Sequence, residues 1–586
     1  MDENHNKNYR WLQAALLILF LVVAIARIVS TYKVFNQTWD EAVHVACGME
    51  WLQLGTYNYE DLHPPLARVA VAIGPYLSGI RLRTQDPNPD ALLAGNAIFA
   101  SHGEYLHNLA LARMGVLPFF LLATWTVWYW TRSLFGSWAA VAAVGLFTSV
   151  PPVLGNAGVA TTDLPLAATF VLSLFAFTIW LERPTTASSL LLGVTVGLAV
   201  MSKFSALLFF AACGAAVLLC WLCAGEASIR EMIPEIRPRL RQLGLAALLC
   251  AGIVFACYRF SFHPASGPGS RPHQFVDRIF ENQAKLHDIS YELVERTPVP
   301  VPEFFIGMKQ AGARTSGTTN MYLLGQVRNR GWWYFFPVAL SVKTPIALLI
   351  LMAIGGFATI TRWKNGEHDW RILVPLASAV ALLMVCLPTK FNIGLRHILP
   401  IYPLLSILAG LGVMQLWQVS RARWLGRILA VGLMGWTLAS SAMAQPDNLA
   451  YFNEFAGKHP ERILVDSDLD WGQDLLRLSN DLRSRGVEHV AIAYNGSADL
   501  NQMNLPPFDT LVPCVRETGW IAISLYDLEM SQPTIGCGGY SWLETFKPTA
   551  LVGKSIRLYW IPQPDAADPA PPLHATKLPQ ARVAEH

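Results

Sequence analysis

The sequence predicts a mainly α-helical, polytopic membrane protein with a small C-terminal α/β domain. Of the 586 residues, 53% are hydrophobic and 15% are charged, and the apolar residues are concentrated in long blocks. A helix needs about 20 apolar residues to cross a bilayer, so blocks of this length favour membrane spans over a soluble core. We therefore expect membrane lipids, and no nucleic acid, among the partners of the protein.

Eleven apolar blocks predict eleven spans, which make residues 1–443 the transmembrane part. The first block lacks a convincing small-residue cleavage site, so it is interpreted as a retained span and not as a signal peptide. The predicted spans lie near 11–30, 109–131, 138–156, 164–182, 188–202, 205–224, 243–260, 334–360, 371–388, 397–418 and 425–443.

Basic residues predict the orientation of these spans. If the N-terminus is cytoplasmic, every inner connection contains Lys or Arg, as the positive-inside rule expects. These residues are Arg132, Arg183, Arg230, Arg237, Arg239, Arg241, Arg362, Lys364, Arg371, Arg421, Arg423 and Arg427. The outer face then carries loops at 31–108 and 261–333 and the whole C-terminal region.

Residues 444–562 differ in composition from the spans and predict a separate outer domain. The stretch "RILVDSDLDWGQDLLRLSNDLRSRGVEHVAIAYNG" has the pattern of a strand, a loop, an amphipathic helix and a β-rich run. The Pro/Ala-rich segment 563–586 is expected to be a disordered tail. Cys514 and Cys537 are the two cysteines of this domain, and a disulfide between them is plausible if that side is oxidising.

The first outer loop presents carboxylates directly after a membrane span. The stretch "TWDEAVHVACGMEWLQLGTYNYEDLHPPLARV" contains Asp40, Glu41 and a corner at His63-Pro64-Pro65. Because charged carboxylates are energetically costly near lipid, their presence indicates a structural or functional role. Asp40 is either a helix cap or a general base at the height of the lipid headgroups, and the two interpretations are compatible. His63 is either a turn residue or a ligand.

The segment "PLARVAVAIGPYLSGI" after this corner predicts an amphipathic helix. Proline suits the first helical turn. Apolar side chains recur on one face of this helix, namely Leu66, Val69, Ala70, Ile73 and Leu77. We expect the helix to lie in the outer membrane interface and to roof a cavity, instead of forming a twelfth span.

Several basic residues occur where the positive-inside rule disfavours them, either at outer ends and links of predicted spans or, for Lys343, interrupting the predicted span 334–360. They are Arg113, Lys203, Lys343, Lys390 and Arg396, and His397 follows the last of them. One such residue alone could extend to a headgroup without a further role. Together they indicate a shared anionic target, for which phosphate is the obvious candidate. Asp163, at another outer edge, is either a helix cap or a third acidic residue of this site.

Outer carboxylates, cations and an apolar groove suit the transfer of a sugar from a lipid-linked phosphate. A departing phosphate needs cationic stabilisation, and an acceptor hydroxyl needs a base such as a carboxylate. The rival interpretation is a transporter or flippase of lipid-linked sugars. That class predicts internal pseudo-symmetry and polar residues near the membrane midplane, and the sequence has no evident sign of either.

Several stretches resemble known membrane glycosyltransferases. "WDEAVH…HPPLARV" resembles the first outer loop of the protein O-mannosyltransferases, which belong to the GT-C membrane glycosyltransferases. "YLLGQVRNRGWWYFFPVALSVKTP", "FNIGLRHILPIYP" and "YFNEFAGKHPERILVDSDLDWGQDL" resemble bacterial phospholipid-carrier-dependent glycosyltransferases. The resemblance spans nearly the whole chain. It implies a GT-C fold in a bacterial inner membrane, a polyprenyl-phosphate sugar donor, and inverting transfer on the periplasmic side to a protein hydroxyl or to an envelope glycan or lipid.

The resemblance also implies roles for single residues. Asp40 and Glu41 match the catalytic acidic pair, Arg113 matches a phosphate-binding arginine, and Arg396 lies in a late loop that often faces the lipid phosphate in GT-C enzymes. Further donor-binding or supporting candidates, by position only, are Lys203, Lys343, His63, Asp163 and His397. Some GT-C enzymes use a divalent metal, so metal dependence stays open, as do the sugar, mannose or another, and the acceptor.

Asp466, Asp468 and Asp470 have the one-three-five spacing of a calcium-binding loop. Trp471, however, stands where such a loop needs glycine, and Arg477 stands where it needs a bidentate glutamate. An EF-hand is therefore excluded, and the pattern favours a structural or acceptor-docking role.

Overall fold

The computed structural model describes residues 2–82, 90–224, 229–264, 276–277, 283–316, 319–366, 369–418 and 423–563. The predicted tail lies outside the described residues from position 564 onward, as does Arg421. Its helices are α1 (Asp2–Ser30), α2 (Glu41–Gln53), α3 (Pro65–Leu77), α4 (Ala91–Ala100), α5 (Tyr105–Met114), α6 (Leu117–Phe135), α7 (Ser137–Phe147), α8 (Pro151–Ala157), α9 (Asp163–Glu182), α10 (Thr186–Ser202), α11 (Ser205–Ala224), α12 (Ile229–Cys257), α13 (Ala284–Arg296), α14 (Pro302–Ser316), α15 (Phe335–Lys343), α16 (Ile346–Lys364), α17 (Val374–Cys386), α18 (Ile401–Gln418), α19 (Arg423–Ala444), α20 (Leu475–Ser484) and α21 (Leu525–Thr534).

The strands are short, and most of them lie near the C-terminus. They are β1 (Phe262–Pro264), β2 (Pro298–Pro300), β3 (Met321–Leu323), β4 (Gln326–Arg328), β5 (Val490–Ala493), β6 (Phe508–Thr510), β7 (Gly519–Ser524), β8 (Ala550–Val552) and β9 (Ile556–Ile561). The first four form two antiparallel hairpin-like pairs, and the other five form one sheet.

In the described part of the chain, eight helices are long and apolar enough to cross a membrane. They are Tyr9–Lys33, Tyr105–Phe135, Asp163–Glu182, Ser205–Cys223, Arg237–Cys257, Ile346–Lys364, Ile401–Gln418 and Arg423–Ala444. A pair bent by 66°, α7 with α8, corresponds to a ninth predicted span, and the shorter apolar helices Thr186–Ser202 and Trp370–Cys386 correspond to the remaining two. A helical, multi-pass membrane protein is thus confirmed.

One predicted span, 334–360, is interrupted near its start. Helix α15 ends at Lys343, Thr344 is extended, and α16 begins after Pro345. Proline lacks an N–H group and disfavours helical geometry in the residue before it, so the chain cannot continue as one helix. Lys343 therefore ends a short helix, and the prediction that it interrupts a span is wrong.

The first loop folds into helices α2 to α5, which pack closely through glycine. The backbone carbonyl of Arg68 in α3 occupies the position that a Cβ atom on Gly48 would take. The backbone of Ala42 in α2 does the same at Gly95 in α4. These close approaches fix the position of α2, which begins immediately after Asp40.

Helix α3 follows the predicted amphipathic pattern. Its inner side buries Ala67, Val71 and Ala72, whereas Ile73 and Leu77 on the predicted membrane-facing side are 43% and 78% exposed. An apolar face left uncovered by protein is compatible with a lipid environment. Its location in the membrane interface stays a prediction.

The C-terminal region contains a five-stranded mixed sheet in the order β6-β5-β7-β9-β8. Strands β5, β6 and β7 are parallel, and β8 and β9 are antiparallel to their neighbours. The amphipathic helix predicted here is α20, which buries Leu475, Leu478 and Leu482 against the sheet. A disulfide joins Cys514 and Cys537, whose Cα atoms are 6.0 Å apart.

The strand predicted at "RILVD" is wrong. This segment instead forms two single 3-10 turns, Pro460–Arg462 and Asp466–Asp468. Its apolar residues do not enter the sheet, because Leu464 packs into the core of the membrane helices and Val465 packs against Tyr322 and Met530.

We expect Gly95→Ala to destabilise the protein by about 1–3 kcal/mol, the usual range for overpacking. The added methyl group would collide with the backbone of Ala42 and push α4 away from α2. The measurement is thermal unfolding of the detergent-solubilised protein. Gly252→Ala in α12 is the control, because no atom lies within 4 Å of its added Cβ. Equal unfolding temperatures for the two variants would contradict the close packing.

Candidate active site

Asp40 precedes α2 but does not cap it. Its side chain makes no capping hydrogen bond, and its Oδ2 atom instead accepts one from Nη1 of Arg396 at 2.5 Å. The Asp40 side chain is 25% exposed, so a ligand can reach it. The backbone N–H of the preceding residue, Trp39, donates to the carbonyl of Trp471 at 3.1 Å. The C-terminal domain thus helps to position the predicted base.

Asp163 is the second carboxylate of the cluster, and it joins the same arginine to Lys203. Its Oδ1 atom lies 2.6 Å from Nζ of Lys203, and its Oδ2 atom lies 3.5 Å from Nη1 of Arg396. Asp163 is 1% exposed and makes no helix-capping bond. Asp40, Arg396, Asp163 and Lys203 therefore form a row of alternating charges, which we call the charge row.

The guanidinium of Arg396 is held by the C-terminal domain as well. It stacks on Trp471, with its central carbon 4.1 Å from the ring centroid, and its Nε donates to Oγ of Ser467 at 3.2 Å. The pKa of Arg396 is raised above the ordinary arginine value. Burial alone would lower this pKa, but the carboxylates of Asp40 and Asp163 outweigh burial. Arg396 is a permanent cation at this site.

Three histidines border the charge row as neutral imidazoles. Crowding by protein atoms, and then the Lys203 ammonium, lower the pKa of His63 to about 3. Burial, followed by the neighbouring His63, lowers the pKa of His44 well below its usual range. Nδ1 of His44 and Nε2 of His397 are buried and have no hydrogen-bond partner in the part of the chain that the structure describes. Such atoms are costly to leave unpaired, so they are suited to bind a polar ligand.

The pKa values of two carboxyl groups near Arg396, those of Asp40 and Asp466, are shifted in opposite directions. Burial favours a higher pKa for Asp40, but the Arg396 guanidinium outweighs it and holds the pKa well below its usual range. Asp466 has its pKa raised to about 7, chiefly by burial, although Arg396 acts in the other direction. The left-handed backbone of Asp466, with φ of 54°, is rare for a residue other than glycine. Asp466 was not predicted as a site residue, and its only sequence signal was the aspartate spacing.

Glu41 and Arg113 do not join the charge row, in contrast to the roles that the resemblance implied for them. They form a bidentate ion pair with each other at 2.8 and 2.9 Å, and both side chains are fully buried. Two further guanidinium N–H groups of Arg113 donate to the carbonyls of Phe35 and Asn36. Four of its five N–H donors are thus used, and neither Arg113 nor Glu41 is accessible to a substrate in this arrangement. The pair fixes the first loop instead of acting on a substrate.

Lys343 also has a structural position. Its Nζ atom donates to the carbonyls of Leu449, at 2.8 Å, and of Asp468, and it lies 4.3 Å from the ring centroid of Phe452. Lys343 is 2% exposed, so it cannot meet a lipid phosphate without breaking these contacts. It holds the C-terminal domain against the membrane helices.

Residues 466–474, which we call the Asp segment, connect this domain to the site. The carboxylate of Asp468 accepts from the backbone N–H of Leu395, next to Arg396. The carboxylate of Asp470 accepts from Gly472 and Tyr526, and that of Asp474 accepts from Ser555. These side chains point to different partners, which agrees with the structural role favoured by the sequence. In the described residues, no group of three or more His, Cys, Asp or Glu side chains could hold a metal ion.

Comparison with known proteins identifies relatives of this chain. The family model of the dolichyl-phosphate-mannose-protein mannosyltransferases matches residues 107–243, which include Asp163 and Lys203. No curated protein sequence matches the chain. The match covers less than a quarter of the chain and lies after the first loop, and it is to the same mannosyltransferase family that the first loop resembles.

Two solved structures are also similar to this chain. One is the oligosaccharyltransferase AglB from Archaeoglobus fulgidus, in complex with an inhibitory peptide and a dolichol-phosphate: 13% identity, TM-score 0.48, covering 75% of this chain. This chain spans 56% of that protein, little more than half its length. The other is ArnT from Cupriavidus metallidurans bound to undecaprenyl phosphate: 13% identity, TM-score 0.45, covering 92% of this chain and 97% of that protein.

We expect Glu41→Gln to lower stability by about 3–5 kcal/mol, because it leaves the buried Arg113 guanidinium without its charge partner. Asp40→Asn should unfold close to the wild-type temperature, since Asp40 is partly exposed. Thermal unfolding of both variants in detergent measures the difference. If Glu41→Gln were as stable as the wild type, the structural role of Glu41 would be wrong.

We expect Asp466 and Asp470 to contribute increasing stability as the pH falls from 8 to about 6, in opposition to the neutral histidines, whose lowered pKa values favour the protonated unfolded state over the same range. Asp466 and Asp470 both have their pKa raised to about 7, chiefly by burial. Their contribution to stability is complete below the unfolded pKa, near 3.8, and is lost as the pH rises through 7. The unfolding temperature as a function of pH measures this effect. Asp466→Asn should reduce the slope, and an unchanged slope in that variant would exclude Asp466 as its source.

Proposed function

We propose that this membrane protein of the GT-C glycosyltransferase type transfers a sugar from a polyprenyl-phosphate donor to an acceptor hydroxyl at the charge row. The single observation that carries the proposal is the row itself. Asp40, Arg396, Asp163 and Lys203 alternate in charge at the boundary between the membrane helices and the C-terminal domain. The reaction needs both signs, because a hydroxyl must lose a proton while a phosphate departs with negative charge.

The donor phosphate would bind between Lys203 and Arg396. Lys203 lies in the extended link between α10 and α11, two apolar helices. Leu207 and Leu208, which follow it, are 39% and 51% exposed, so an apolar surface begins next to the ammonium group. A polyprenyl chain could lie on this surface while its phosphate meets the cations. Asp163 would keep both cations in place until the phosphate competes for them.

Asp40 would act as the base. As the oxygen of the acceptor hydroxyl forms a bond to the anomeric carbon, its proton passes to the Asp40 carboxylate. The bond from that carbon to the phosphate oxygen breaks, and its electron pair leaves with the polyprenyl phosphate. A single displacement of this kind inverts the anomeric centre. When the phosphate binds Arg396, the ion pair between Arg396 and Asp40 weakens. The pKa of Asp40 then rises, so its carboxylate becomes a better proton acceptor.

The basic inner connections support a site on the extracytoplasmic, periplasmic face of a bacterial inner membrane. Protein hydroxyls, as in protein O-glycosylation, and envelope glycans or lipids are both acceptor classes for such a site. Mannose is one candidate sugar. Glu41, Arg113 and Lys343 take no direct part in the proposed reaction. The alternative, a transporter or flippase of lipid-linked sugars, is favoured by no specific observation in the described residues.

We expect Asp40→Asn to reduce sugar transfer by about 10²–10⁴-fold, the usual contribution of a general base. The protein in lipid nanodiscs is incubated with polyprenyl-phosphate mannose, glucose and aminoarabinose, and the polyprenyl phosphate released by transfer of the sugar to water, as the surrogate acceptor, is measured. Binding of polyprenyl phosphate should persist in the variant, because Lys203 and Arg396 are retained.

Asp90→Asn is the matched control. Asp90 caps α4 through the N–H groups of Leu92 and Leu93, and asparagine caps helices equally well. The control should therefore turn over donor as the wild type does. Near-normal turnover by Asp40→Asn would refute the catalytic role of Asp40. Saturable lipid-phosphate binding without consumption of any donor would favour the transporter.

A further inference from the structure

An open cavity of about 670 Å³ lies away from the charge row, between the second loop and the C-terminal domain. One wall is formed by the end of β4 and the chain that leads to α15, which contribute Arg328, Asn329 and Arg330. The opposite wall is the end of α21, with Thr534. A cavity of this size can accept a sugar-sized group.

The polar groups of this cavity are suited to an anion. Two guanidinium groups, two amides and a hydroxyl group line it, and its lining contains no carboxylate. Arg328 is positioned by a hydrogen bond to Gln326 at 2.8 Å and by stacking on Trp332 at 5.3 Å. Arg330 is exposed. Arginine pairs match the geometry of phosphate oxygens better than lysine does.

One residue of the cavity wall also borders an internal pocket near the charge row. Asn320 lines both the cavity and a small internal pocket that also contains Tyr526 and Asp466. Asp466 is the carboxyl group that interacts electrostatically with Arg396 and Asp40.

The backbone links the two places as well. The N–H of Gly331 donates to the carbonyl of Lys390 at 3.2 Å, and the N–H of Trp332 donates to the side chain of Asn392 at 2.7 Å. Lys390 and Asn392 begin the loop that carries Arg396. A group bound in the cavity is thus held in a fixed relation to the proposed catalytic residues.

We propose that this cavity binds a phosphate group of the acceptor, so that the acceptor is an anionic, phosphate-bearing glycan or glycolipid. The inference rests on the proposed function, because it assigns the second substrate of the same site. The cavity is lined by cations that the charge row does not use, and it opens beside the C-terminal domain, which bonds the backbone of Trp39 and the side chain of Arg396. A neutral serine or threonine peptide would supply no anionic partner for either guanidinium group.

The first test is binding of glucosamine 1-phosphate to the full-length protein in phosphatidylcholine nanodiscs, compared with unphosphorylated glucosamine. The wild type should bind the phosphorylated sugar preferentially. Arg330→Gln should weaken this binding about tenfold or more, as expected for the loss of a charge-assisted hydrogen bond. Arg330→Lys should restore part of it.

The matched control is Arg296→Gln in α13, where the exposed arginine pairs only with Glu292 on its own helix. It should bind the probe as the wild type does. Equal binding of both sugars, or equal binding by the wild type and Arg330→Gln, would overturn the assignment.

A second arm separates an acceptor from a membrane phospholipid, which carries the same phosphate chemistry. Nanodiscs containing phosphatidylglycerol should leave binding of glucosamine 1-phosphate unchanged if the cavity serves the acceptor. Competition by phosphatidylglycerol that disappears in Arg330→Gln would assign the cavity to lipid and overturn the proposal. Release of sugar from the donor without acceptor, and its loss in Asp40→Asn, reports on the proposed function independently of probe binding.

Discussion

The contact on which the site depends is a single nitrogen, Nη1 of Arg396, that lies between the carboxylates of Asp40 and Asp163. Asp40 and Arg396 are 356 positions apart in the sequence, and Asp163 begins a membrane helix. Burying Arg396 or Asp163 alone would cost several kcal/mol, so each is stable here only because oppositely charged groups are present. The need to neutralise one another brings the first loop, the start of α9 and the late loop to one place. Lys203 then completes the charge balance.

Neighbouring acidic residues have separate tasks in this arrangement. Asp40 faces Arg396 and remains partly exposed, whereas Glu41, the next residue, is fully buried against Arg113. Successive residues at a helix start point in different directions, so an adjacent pair cannot share one partner. The ion pair of Glu41 and Arg113 fixes the loop. The Asp40 carboxylate, which is partly exposed, is the one that a substrate can reach. The acidic pair in the sequence is thus one structural and one accessible carboxylate.

The C-terminal domain is part of the site and not an appendage. Trp471 and Ser467 orient the Arg396 guanidinium, Asp468 holds the loop of Arg396, and Lys343 fastens the Asp segment to the membrane helices. The carboxyl group of Asp466, whose pKa is raised, adds a second titratable group beside Asp40, whose pKa is lowered. A site assembled from both parts can accept a lipid-linked donor from the membrane side and an acceptor from the domain side, which is the geometry that our proposals use.

The sequence by itself determined the membrane architecture and predicted Asp40, Asp163, Lys203 and Arg396 as candidate site residues. Both follow from local cost: apolar blocks must lie in lipid, and charges at their ends need a reason. It could not determine that Arg113 pairs with Glu41, that Lys343 clamps the domain, or that Asp466 joins the site. Those outcomes depend on which distant groups meet after folding, because a charge takes whichever partner packing brings within about 4 Å. Only the tertiary structure decided that.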